Sequence, residues 1–165
     1  MNKATLTLAG SILAAFTATA VAETGATDSD SFVITGEIAN VCLLINNSID
    51  PISVVSLDTT DQQVLGSYTY RCTNPGGFDR VITSANNGVL NGPYGQIDYH
   101  MSHGGGSGLS FSAMQLTSPR VDTLAGSNAF AAGQTGAVRF HLPEVPGGLM
   151  AGDYSDDVTF EIFAN

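Results

Sequence analysis

Tyr154-Ser155-Asp156-Asp157-Val158-Thr159-Phe160-Glu161-Ile162-Phe163 sets Tyr154, Val158, Phe160 and Ile162 against Ser155, Asp157, Thr159 and Glu161. Apolar and polar residues exchanging at a period of two predict a β-strand with one face on a core and the other in water. The next residue in the apolar register after Ile162 is Ala164, so Phe163 falls on the polar face.

The same signal recurs outward along the chain. Residues 31–45 alternate Phe32, Ile34, Gly36 and Ile38 against Val33, Thr35, Glu37 and Ala39, and residues 52–57 form a further strand candidate. Residues 65–73 set Tyr68, Tyr70 and Cys72 against Ser67, Thr69 and Arg71, then stop at the turn Asn74-Pro75-Gly76-Gly77. A strand resumes over 78–84, and Asn87-Gly88 and Asn91-Gly92 predict tight turns with positive φ. Strands are expected at 96–103, at 109–116 after the loop Gly104-Gly105-Gly106-Ser107-Gly108, and at 136–142 before Pro143 and Pro146-Gly147-Gly148. Residues 118–132 have no firm period and read as loop with a short turn of helix. Some seven short strands with frequent turns and no long helix predict an all-β protein, a β-sandwich of one domain.

Composition narrows the function. The 165 residues carry 15 acidic side chains against 5 basic ones, a net charge of −10, and the single lysine is Lys3. Residues 23–165 therefore hold four arginines, fifteen carboxylates and a net −11. Such a chain has no basic patch for nucleic acid or an anionic membrane. With 43% hydrophobic and only 12% charged residues it is not a disordered acidic tail either.

Met1 to Lys3 make a short positive start, an uncharged apolar stretch follows, and Ala20-Val21-Ala22 offers small residues for a signal peptidase. Residues 1–22 are expected to be an export signal, with Glu23 as the mature start. In an oxidising compartment Cys42 and Cys72, the only cysteines, have one intramolecular connectivity, and a disulfide is expected.

Catalytic constellations do not emerge. His100 and His103 stand three apart, on opposite faces of a strand, which spoils a shared metal geometry with His141. Ser107 lacks the flanking pattern of a nucleophile elbow, and the glycine tract lacks the lysine and helix of a phosphate loop. Asp156 and Asp157, as strand neighbours, face opposite sides and cannot act on one bond. Asn46-Asn47-Ser48 is a lone glycosylation sequon. No enzyme, metal or cofactor is expected.

Three features together carry a resemblance: Phe32-Val33-Ile34-Thr35-Gly36-Glu37-Ile38-Ala39-Asn40-Val41-Cys42, the second cysteine thirty residues on, and Ala151-Gly152-Asp153-Tyr154 leading into the terminal strand. The chain resembles subunits of chaperone-usher pili. Its opening is similar to the major subunits of type 1 fimbriae, and its centre and end are also similar to spore coat U domain proteins. The resemblance implies an immunoglobulin-like sandwich lacking its last strand. The missing strand would come first from a periplasmic chaperone and then from the N-terminal extension of the next subunit.

On that resemblance residues 1–22 are the signal, 23–38 the extension and 39–165 the pilin-like domain. Phe32, Ile34, Gly36 and Ile38 would be the donor positions, and Tyr154, Val158, Phe160 and Ile162 would line the groove and face the chaperone. The partners implied are neighbouring subunits, the chaperone and an outer-membrane usher. The location implied is the periplasm in transit, then a surface fimbrium. The alternative is a self-complete, monomeric secreted sandwich, a binding or adhesion module or spore-coat-like surface protein, using a loop such as residues 100–108.

Overall fold

The computed structural model of the chain describes residues 31–47, 54–148 and 150–165. The expected export signal, the acidic residues 23–30 and Ser48 of the sequon lie outside the described residues, as do residues 52–53 of the expected strand at 52–57. Residues 31–36 have no regular secondary structure and are exposed, and Glu37–Asn165 form a compact unit.

Among its described residues that unit is all-β apart from one turn of helix. Its strands are β1 (Cys42–Asn46), β2 (Gln63–Cys72), β3 (Phe78–Ser84), β4 (Val89–Gly92), β5 (Gly95–Asp98) and β6 (His100–His103). After these come β7 (Phe111–Met114), β8 (Arg120–Leu124), the helix α1 (Asn128–Ala132), β9 (Gln134–His141) and β10 (Val158–Ala164). Five strands form one sheet in the order β1-β2-β9-β6-β7, three form another in the order β10-β3-β8, and β4-β5 is a hairpin. Every ladder is antiparallel.

The two larger sheets contribute to shared apolar clusters. Ile82 of β3 is buried with Met101 of β6 and Val138 and Phe140 of β9, together with Leu90, Ile97 and Tyr99. A second cluster joins Tyr70 and Cys72 of β2 to Phe78 of β3, Leu124 of β8 and Phe130 of α1. Helix α1 seats Phe130 there, its first turn capped by the Ser127 hydroxyl, which accepts from the Phe130 N–H at 3.3 Å.

Several expected boundaries move. Residues 31–41 carry no strand, and the alternation becomes a ladder only from Cys42. Residues 54–57 carry no strand, although Val55 and Leu57 pack on the core. The expected strand 96–103 is two strands in different sheets, divided at the buried Tyr99. Asn87 and Gly88 do take positive φ, 60° and 79°. Asn91 and Gly92, by contrast, lie within β4, and the hairpin turns at Pro93-Tyr94. Gly92 is needed for close approach: a Cβ there would lie 2.2 Å from the Tyr154 ring.

The structure adds β8, where the reading expected loop. Its inward positions hold Arg120 and Asp122 before Leu124, while Val121 is exposed, so over the first three residues hydrophobicity runs opposite to burial. Opposite it in β3, Arg80 is fully buried and pairs with Asp122 at 2.6 Å. Arg120 reaches the other oxygen of Asp122 at 2.5 Å. Arg80 also lies over the rings of Tyr70 and Phe111, at 5.7 and 5.5 Å.

Candidate strand-acceptor groove

β1 is one outer strand of the five-stranded sheet, opposite β7, and β10 one of the three-stranded sheet, opposite β8. The two run close to one another, yet no ladder joins them. The hydrogen-bond phase shows which backbone groups face the open side. Thr73 donates to the Val41 carbonyl and Asn47 to that of Ser67, both at 2.9 Å, so the odd-numbered residues of β1 bond to β2. Cys42 and Leu44 therefore turn their N–H and C=O away from β2. Likewise Ala85 donates to Asp157 at 2.9 Å and Asn165 to Gly77 at 3.1 Å. In β10 the backbone groups of Val158, Phe160, Ile162 and Ala164 thus point away from β3. No described strand pairs with that edge.

The floor between these edges is apolar and incompletely covered. Val158, Phe160 and Ile162 are half-buried, and Leu44 and Tyr68 pack beside them on the core clusters. Tyr68 and Phe160 meet across the sheets with ring centroids 4.6 Å apart. A cleft of about 190 Å³ opens here, lined by Leu65, Tyr68, Met101, Phe140, Val158 and Phe160 among others. Burial raises the Tyr68 phenol above its usual pKa.

Each end of the groove is fixed. At one end Cys42 and Cys72, directly opposite in the β1–β2 register, form the disulfide. At the other, Asp156 accepts from the Ser84 and Tyr99 hydroxyls, both at 2.5 Å, and from the Asn86 N–H at 2.9 Å. Burial and this carboxylate push the Tyr99 phenol upward. Asp156 thereby ties the approach to β10 to the turn after β3.

The expected groove residues are not all equivalent. Val158, Phe160 and Ile162 line one register of β10, but Tyr154 precedes the strand, packs against Gly92 and donates its hydroxyl to the Met150 carbonyl at 3.0 Å. Phe163 is exposed on the far face. Of the expected donor positions, Phe32, Ile34 and Ile38 are 83–85% exposed.

The histidines divide. His103 is buried at 2% exposure, facing inward, with its Nε2 3.0 Å from the Tyr70 hydroxyl. Burial, then the Arg80 charge, lowers its pKa to about 4. His100 instead stands directly opposite His141 on the neighbouring strand, a pairing that no spacing in the sequence announces. Among the described residues no three His, Cys, Asp or Glu side chains converge as a metal cluster. Comparison with known proteins finds no family model that matches the chain and no curated protein that matches it.

Proposed function

We propose that the chain is a structural, non-enzymatic subunit of a surface pilus or fimbria, with an immunoglobulin-like sandwich completed by a strand from another molecule. The observation that carries this reading is the pair of adjacent edges, β1 and β10, left without a ladder over a half-buried apolar floor. An unpaired edge over apolar surface is a site for strand addition, where main-chain bonds give affinity and alternate side chains fill pockets.

The same chain carries a segment of matching length. Residues 32–38 number seven, as do those of β10, and each would span roughly 20 Å when extended. Phe32, Ile34 and Ile38 recur at period two and are exposed, as side chains meant for another molecule's groove would be. Exchange between copies would build the fibre, with a periplasmic chaperone holding the groove during export and an outer-membrane usher releasing it. Folding energy withheld until the donor arrives would drive assembly.

Deleting residues 23–38 tests the assignment. The truncated chain is expected to lose polymer while remaining as a chaperone-bound monomer, and a synthetic peptide of residues 31–38 is expected to raise its melting temperature. Polymer formed by the truncated chain would show that these residues are not the donor.

A further inference from the structure

His100 on β6 and His141 on β9 are register partners of an antiparallel ladder. The next pair along it, Met101 and Phe140, is buried in the core at 1% and 3% exposure. Since successive residues alternate, His100 and His141 both project from the outer face of the five-stranded sheet. Both are half-buried there. Side chains directly opposite in such a ladder have their Cβ atoms roughly 5 Å apart.

We propose that His100 and His141 form a two-imidazole site for a borderline divalent cation of the Zn2+, Cu2+ or Ni2+ class. Their ring centroids are 5.3 Å apart with the planes at 69°. Two imidazoles sharing one tetrahedral metal, at metal–nitrogen distances of about 2.0–2.1 Å, have centroids roughly 5 Å apart. The rings are therefore already spaced for a common ion.

Their nitrogens are also uncommitted. Among the described residues no hydrogen bond engages either ring, and the His141 Nδ1 is buried without a partner there. Neighbouring polar side chains are engaged elsewhere. Arg139, on the same face two residues before His141, extends its guanidinium to within contact of Gly104. Gln115 donates to Gly88 and Asp98, and Gln62 to Ser102. Two imidazoles without a carboxylate favour borderline ions over Mg2+ or Ca2+, and the remaining coordination positions fall to water or to a donor on a second molecule. The site is independent of the strand-acceptor groove.

Calorimetric titration of the metal-stripped full mature chain with ZnCl2, NiCl2 and CuSO4 tests it, beside His100→Ala and His141→Ala. The expected result is one ion per chain, with affinity falling at least roughly tenfold in either variant. Copper EPR should show coupling to two imidazole nitrogens in the parent protein. Both variants alter half-buried surface positions, and circular dichroism in EDTA checks that each is folded. No uptake by the parent chain, or uptake unchanged in folded variants, would overturn the assignment.

Discussion

Asp122 accepts from two guanidiniums, and the balance of effects on it shows how the buried charges of this fold are held. Burial alone would raise its pKa, but Arg80 and Arg120 outweigh that and keep the carboxyl below its usual value. Arg80 has no exposed surface, so removing its partner strands a charge in the core. Asp122→Ala should destabilise the fold by about 3–5 kcal/mol, while the double change Arg80→Met, Asp122→Leu should recover most of that loss. Urea unfolding of the two variants checks both halves. His103 carries a second prediction. Tyr70 of β2 hydrogen-bonds it, the charges of Arg80 on β3, Asp122 on β8 and Arg139 on β9 act on it, and its folded pKa of about 4 lies below the unfolded value of about 6.5. The unfolded chain therefore binds a proton that the folded chain refuses. Stability should fall as pH drops from about 6.5 to about 4, by roughly 3 kcal/mol from this residue, with His141 adding in the same direction. His103→Gln should flatten that slope in urea midpoints taken at pH 7, 5 and 4. Further loss below about pH 4 belongs to Asp122, whose carboxylate must then be protonated.

The elements show where hydrophobic periodicity tells the truth. β10 alternates as its neighbours require, and the turn at Asn87-Gly88 has the φ values its residues suit. β8 was illegible because two of its inward positions hold Arg120 and Asp122, which pair with one another within the strand, Asp122 pairing also with Arg80 of β3. Residues 31–41 alternate as a strand should but form no strand among the described residues, where Thr73 bonds only to Ala39 and Val41 at their end, since pairing is a property of two segments. The groove is only partly legible for the same reason: Val158, Phe160 and Ile162 mark one wall, while the approach of β1 and the place of Tyr68 depend on topology. The His100–His141 pair is likewise set by a register that joins residues 41 apart. β1 itself is a short edge strand on one ladder, with the disulfide at its first residue. Cys72→Ser should cost about 3–4 kcal/mol, the chain entropy of closing a loop of 30 residues. Equal urea midpoints for the oxidised parent and the variant would remove the disulfide from the stability of the fold.

At the scale of the whole molecule the account turns on one asymmetry: a compact unit with two adjacent open edges, and an exposed alternating segment in the same chain. Burying Phe32, Ile34 and Ile38 in a neighbour's groove would contribute about 1.5–3 kcal/mol for each side chain, and the main-chain ladder would add to it. Under that proposal the bonds of a full ladder, formed and broken together, would make a polymer that detergent at room temperature does not separate. The most direct test is SDS gel electrophoresis of material sheared from the cell surface, unboiled and boiled, probed for this chain. The account predicts a ladder of multiples that collapses to monomer only on boiling. A lone monomer in both lanes would contradict strand exchange and indicate a sandwich complete in itself.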